Sequence, residues 1–279
     1  MGHETNRKSQ ENDDDDEETQ ATLIAVTHQT THELERFYKE HPEIKESHGI
    51  AHVMAVYRHA CKAVEVHQPP LSPRKAMEIK VAAMLHDVDD SKYFSLNPMD
   101  PYPNAANIMI AAQVPESSRP IILEMISLVS ASVNGNQVPE FIKKDELYHL
   151  LIPRWSDRLE AVGAIGVVRC YQYNQEKERP LWSESSPRAT TVQEMWELAV
   201  PERFERYMST EPTADDMISH YYDKLLHVAR PPPNIVRNHY LETTAEESCE
   251  ELIEVCLRFG RTGVVDEEYI QSLVDNVKR

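Results

Sequence analysis

Glycine is scarce: it fills 7 of 279 positions, well under half of its usual share of roughly 7%. Glycine-built phosphate cradles are therefore missing, and neither G-x-x-x-x-G-K-[ST] nor G-x-G-x-x-G occurs anywhere in the chain. Any phosphate handled here has to meet side chains or a metal. Cysteine is also sparse. Cys61, Cys170, Cys249 and Cys256 are widely spaced, with no C-x-x-C, which excludes a disulfide framework and a zinc ribbon and fits a reducing, cytoplasmic setting. No apolar run approaches the roughly 18 residues of a membrane span, and the N-terminus is too polar for a secretory signal. No membrane partner is expected. Basic patches with interleaved aromatics are lacking too, and the formal net charge is −18. Broad nucleic-acid binding is not expected.

Proline is present, 18 times, but it is distributed so that 43–68, 74–97, 154–179 and 234–279 contain none. Helices exclude proline from their interiors and sheets rely on glycine at turns and bulges, so this pattern predicts an all-α protein. Residues 1–20 carry eight acids against Arg7 and Lys8, with an unbroken run from Asp13 to Glu18. Such a run repels itself and buries nothing, which reads as a disordered acidic tail over 1–21. Beyond it, helices are expected at 22–40 and at 49–67, where Ile50, Val53, Val56, Ala60, Ala63 and Val64 recur at three- and four-residue spacing. Ser72-Pro73 opens a third helix that runs through Leu85. Residues 88–103 read as a loop, 104–113 and 116–130 as short helices, and Val133-Asn134-Gly135-Asn136 as a turn. A long helix is expected at 154–174, in which Gly163 and Gly166 let another backbone or a ligand come close. A surface excursion follows at 175–190, then helices near 191–208, 214–228, 234–260 and 266–277.

Chemistry concentrates in three places. His86-Asp87 ends the apolar stretch Val81-Ala82-Ala83-Met84-Leu85. Chance alone supplies about 0.7 such dipeptides in this composition, so the setting matters more than the pair. Two adjacent polar side chains at the end of a core helix are costly unless paired or metal-bound. Upstream, His48, His52 and His59 share one helical stripe, an arrangement suited to a transition metal. Downstream, Asp157-Arg158 interrupts the apolar face of the glycine-bearing helix. Each piece alone also fits a polar surface or a surface ion pair.

Together the pieces resemble the HD-domain superfamily of metal-dependent phosphohydrolases. The matching text is Ser47-His48-Gly49-Ile50-Ala51-His52-Val53-Met54-Ala55-Val56, then Ala83-Met84-Leu85-His86-Asp87-Val88-Asp89-Asp90, then Ser156-Asp157-Arg158-Leu159-Glu160-Ala161. The resemblance covers roughly 45–175 and looks nearest to the small bacterial-type HD hydrolases, some of which are nucleotide pyrophosphohydrolases. Ser219-His220-Tyr221-Tyr222-Asp223-Lys224-Leu225-Leu226 is similar to a C-terminal helix of that group. The resemblance implies a single globular HD-type helical bundle over 22–279, with core motifs in 45–175 and the helices of 191–279 packing on them.

It further implies that His52, His86, Asp87 and Asp157 hold one divalent transition metal. Mn²⁺ is the first choice, and Fe²⁺, Co²⁺, Ni²⁺ and Zn²⁺ suit the same ligands. Asp90, three residues after the motif aspartate, is the candidate for orienting the attacking water. His48 is the candidate for phosphate contact or proton transfer. Lys92, Arg154 and Arg158 are the candidate substrate-binding cations, and Tyr93 and Phe94 the candidate base-stacking rings, with core packing as their alternative. The implied reaction is hydrolysis of a phosphomonoester or pyrophosphate bond in a nucleotide or related phosphorylated small molecule, with a homo-oligomer left open. Two alternatives stay open at this point. One is a non-catalytic binding or scaffold protein on the same fold. The other is a di-iron oxygenase, whose expanded pattern needs two more histidines between Asp87 and Asp157 where this chain has only His149.

Overall fold

The structure, a computed structural model, describes residues 5–45, 48–95, 97–209 and 215–277, with the side chains of 5–19, 276 and 277 outside that description. The fold is all-α. Among the described residues there is no β-strand, only an isolated bridge between Asn97 and Asp100. The chain divides into two compact units, residues 1–127 and 128–279. That boundary falls inside the span expected as one domain from 22 onward, and no shift in composition marks it.

The first unit contains α1 (Thr5–Glu40), α2 (Ile50–Glu65), α3 (Pro73–Leu85), α4 (Pro103–Ala111) and α5 (Arg119–Ser127). Its hub is α3, against which α1, α2 and α5 all pack. Met77, Ile79 and every residue from Val81 to Leu85 are buried, so the last turn and a half of the helix is apolar on all sides, as a segment enclosed by others must be. Full burial of each Val, Leu, Ile or Met side chain contributes about 1.5–3 kcal/mol. The start of α3 is set locally: the Ser72 hydroxyl accepts the Lys75 N–H at 3.4 Å and Pro73 takes the first helical position. In α1, Leu23, Val26, Leu34 and Phe37 are buried. This helix begins at Thr5, inside the segment read as an acidic tail. Nothing between Gly2 and Pro42 interrupts a helix in that stretch. Residues 1–4 lie outside the described residues.

The second unit runs through α6 (Ala131–Asn134), α7 (Glu140–Lys144), α8 (Ile152–Leu159), α9 (Gly163–Glu176), α10 (Val192–Leu198) and α11 (Pro201–Met208). It continues with α12 (Met217–His220), a π-helical turn over Tyr221–Leu225, α13 (Leu226–Ala229), α14 (His239–Glu247), α15 (Glu250–Thr262) and α16 (Glu267–Val277). Both α15 and α16 pack on α9, and α14 packs on α8. The helix expected over 154–174 is broken in two. Gly163 turns to φ +67° and its N–H donates to the Ser248 carbonyl at 2.7 Å, so the close backbone approach expected at this glycine comes from the residue after α14. Pro201 likewise divides the helix expected over 191–208.

The 175–190 excursion is tied down along its length. Met217 and Ile218 donate their N–H groups to the carbonyls of Pro180 and Leu181, both at 3.1 Å. Asp216 accepts from the hydroxyls of Ser183 and Ser186. Arg188 lies over the Phe259 ring, and Ala189 is fully buried against Gly260, where a Cβ would come within 1.7 Å of the Ala189 carbonyl oxygen. Gly260→Ala is therefore expected to lower stability by about 1–3 kcal/mol through overpacking, seen as a fall in the thermal midpoint by circular dichroism. An unchanged midpoint would contradict the close approach.

His220, at the end of α12, packs edge-on to Tyr207 with ring centroids 5.6 Å apart. Burial first, then the charges of Lys224 and Arg179, hold its imidazole neutral down to about pH 3. The unfolded chain protonates this ring near its ordinary 6.5. Between those values the unfolded state binds the extra proton, so stability falls as pH falls, by up to about 1.4 kcal/mol per pH unit. Urea unfolding at pH 7 and pH 4.5 is expected to show a smaller acid loss for His220→Gln than for the unaltered chain. Equal losses would remove His220 as the source.

Candidate metal centre

The polar end of the first unit is built where the first turn of α2 meets the end of α3. His86 follows Leu85 directly, and the chain then turns, with the Val88 N–H on the Leu85 carbonyl and the Asp90 N–H on the Asp87 carbonyl. The buried imidazoles of His52 and His86 lie with their ring centroids 5.3 Å apart. Asp87 reaches both of them. Its Oδ2 is 3.4 Å from His52 Nε2 and its Oδ1 is 3.5 Å from His86 Nε2.

The hydrogen bonding of His86 decides what these contacts mean. Its Nδ1 lies 2.9 Å from the Ala83 carbonyl oxygen, an acceptor only, so the proton sits on Nδ1. In the neutral ring, Nε2 then presents its lone pair toward the Asp87 carboxylate. Lone pair against carboxylate is repulsive unless a cation stands between them, and a backbone carbonyl on the far nitrogen is the usual support of a metal-binding histidine. Two imidazoles and a carboxylate in this arrangement fit a divalent transition metal.

Beside this pair lies a second group. Ligand atoms of His48, Asp87 and Asp90 all fall within 4.8 Å of one another. The Lys92 ammonium is 2.8 Å from His48 Nε2 and 3.2 Å from Asp90 Oδ2. The other oxygen of Asp90 accepts the Lys92 backbone N–H at 2.8 Å. His48, Asp90 and Lys92, each singled out from the sequence, are thus brought together. Tyr93 sits edge-on to His48 at 5.9 Å. Phe94, half-buried, packs against Phe37 and His41, with ring centroids at 6.1 and 5.3 Å.

Two residues at this end were not singled out from the sequence. Asp89 is buried and accepts the N–H groups of Asn104 at 3.0 Å and Ala105 at 2.8 Å. It thereby caps the first turn of α4, whose own N-cap, Tyr102, supplies no side-chain bond. Asn104 returns a bond from its amide to the Val88 carbonyl. Burial pushes the Asp89 carboxyl up, opposed by those hydrogen bonds. The signal for Asp89 is negative, since α4 opens on Pro103 without a local cap. The second residue is Tyr38 on α1. Its phenolic oxygen is buried without a hydrogen-bond partner, and burial, then the charges of Asp87 and Asp90, push its pKa up. Nothing local in the sequence marks it.

Asp157, Arg154 and Arg158 belong to α8 of the second unit. Asp157 is half-buried there. Arg154 is only 1% exposed, with Nε donating to the Leu128 carbonyl at 2.6 Å and Nη1 to the Gln137 carbonyl at 2.7 Å. Arg158 donates to the Asn136 side chain and the Gly135 carbonyl, and its guanidinium lies 4.4 Å over the Trp155 ring. Burial lowers Arg154 to about 10; burial and the neighbouring Arg154 charge lower Arg158 to about 9. Both expected substrate-binding arginines hold the 128–137 segment, each through two guanidinium nitrogens.

No family model matches the chain. It is 37% identical over 224 residues, 76% of its length and 88% of the relative's, to uncharacterized protein L803 of Acanthamoeba polyphaga mimivirus. The chain belongs to the family of that viral protein. A crystal structure of a Lactobacillus plantarum protein shares the helical fold at a TM-score of 0.55 and 21% identity, over 86% of this chain and 95% of that one. An HD-superfamily hydrolase from Bacillus thuringiensis aligns at a TM-score of 0.47 and 20% identity, over 81% of this chain and 95% of that one. Among the described residues no helix is long and apolar enough to cross a membrane.

The Asp89 cap gives this end of the first unit its first test. Asp89→Ala is expected to lower stability by about 0.5–2 kcal/mol, the usual effect of losing a cap, and to speed amide exchange at Asn104 and Ala105. Unchanged exchange at both would show that the cap is not what holds α4.

Proposed function

We propose that the protein is a metal-dependent phosphohydrolase acting on a nucleotide or a related phosphorylated small molecule. The observation that carries this reading is the Asp87 carboxylate between the Nε2 atoms of two buried histidines, one with its proton fixed on the far nitrogen. The His-Asp…Asp motif order supports it. His52, His86 and Asp87 would hold the ion; Asp157, the fourth ligand that the HD resemblance implies, belongs to the second unit. A divalent ion there supplies Lewis acidity toward a phosphoryl oxygen and a lowered pKa for its water.

The remaining steps belong to side chains of the first unit. Asp90 Oδ2 orients the attacking water and accepts its proton, while Oδ1 stays anchored by the Lys92 N–H. His48 takes up or returns a proton through Nε2, which faces the same space. Lys92, its side chain 54% exposed, releases its contacts to meet the phosphate as a point charge. With Arg154 and Arg158 buried and each bonded through two nitrogens to the 128–137 segment, Lys92 is the cation this reading relies on first.

Purified chain with Mn²⁺ is expected to release product from one or more nucleoside mono- or triphosphates. His86→Ala is expected to abolish that release. Asp90→Asn is expected to lower kcat by about 10²–10⁴ while keeping the metal. Equal turnover by the His86→Ala protein would sink the proposal, and full turnover by Asp90→Asn would remove Asp90 from it.

A further inference from the structure

His48, Asp87 and Asp90 come from two separate stretches of chain, yet their ligand atoms lie within 4.8 Å of one another. Their side chains are only 15%, 18% and 14% exposed. The chemistry of Lys92 shows which form these groups adopt. An ammonium only donates hydrogen bonds, so the 2.8 Å contact to His48 Nε2 makes that nitrogen an acceptor. His48 Nε2 thus faces the Lys92 ammonium, with Asp90 Oδ2 3.9 Å away. Asp90 keeps Oδ1 on the Lys92 N–H and turns Oδ2 toward the same point, 3.2 Å from the ammonium. One positive charge already stands among the imidazole and the carboxylates. It is carried on a long side chain that is half in solvent and free to withdraw.

We infer that His48, Asp87 and Asp90 form a second divalent-cation site, which the Lys92 ammonium fills until an ion displaces it. Asp87 is shared: one face of its carboxylate serves His52 and His86, and the cluster with His48 and Asp90 lies beside them. One imidazole nitrogen and two carboxylates suit Mn²⁺ or Zn²⁺ better than Mg²⁺, which favours all-oxygen sets. The site shares His48, Asp87, Asp90 and Lys92 with the hydrolase proposal, but a count of bound ions tests it without reference to turnover. One consequence does rest on that proposal: an ion held here withdraws Asp90 and His48 from the water they serve, so excess ion competes with catalysis.

The test is a count of bound ions, independent of turnover. Full-length protein is stripped with a chelator and titrated with MnCl₂, and free Mn²⁺ is followed by electron paramagnetic resonance. Two ions per chain of different affinity are expected, falling to one in both His48→Gln and the near-isosteric Asp90→Asn. Lys92→Met removes the competing charge and is expected to bind the weaker ion about tenfold tighter or more, since unit charges about 3 Å apart interact strongly even near a protein surface. A single ion in the unaltered chain would overturn the second site and leave the hydrolase proposal standing. Two ions retained in Asp90→Asn and His48→Gln, or no tightening in Lys92→Met, would also overturn it. Two ions without turnover of any phosphorylated substrate would support the second site and count against the hydrolase.

Discussion

The Asp87 carboxylate stands between two buried imidazoles, and the polar end of the first unit is arranged around balancing that charge. Burying a carboxylate is costly unless positive charge or hydrogen-bond donors surround it. In its neutral form His86 has its one proton on the Ala83 carbonyl and turns a lone pair to Asp87. Compensation therefore comes from a cation. Lys92 provides one beside the neighbouring Asp90, and the space facing His52 and His86 suits another. Asp89 stabilises the turn from the opposite side, turning its own charge to the N-terminus of α4, where a carboxylate is favoured. Three aspartates within four residues thus serve different ends because each faces a different set of donors.

Much of this end was legible in the sequence. His48, His52, His86, Asp87, Asp90 and Lys92 sit in two short stretches, and helical spacing alone puts the histidines on one stripe. What local pattern does not carry is contact across long separations. Asp89 looks like one more acid in a run until α4, fifteen residues on, is brought to it. Tyr38 reads as one more residue of an amphipathic helix until α1 packs on α3. The all-α class followed from scarce glycine and the proline-free windows. Helix ends were less legible: Gly163 breaks a helix because Ser248 stands opposite it, and the sequence near Gly163 says nothing of Ser248.

The same lesson holds for α8. Arg154 and Arg158 beside Asp157 read as cations near a metal ligand, but their partners are carbonyls and an amide 17 to 26 residues upstream. A guanidinium is well suited to that task, because its planar fork satisfies several acceptors at once from a single rigid group. The 128–137 segment has little helix of its own beyond α6, and these two side chains replace the backbone ladder it lacks.

The 175–190 excursion also lacks regular structure, yet it is held at Pro180, Leu181, Ser183, Ser186, Arg188 and Ala189. Loops are usually where a lineage accepts insertions and where proteases cut, because their backbone makes few commitments. Here the commitments recur every two or three residues. Length changes in this stretch should therefore be rare among relatives, confined to the exposed step at Glu184-Ser185, and a protease should find a closed surface where the composition advertises an open one.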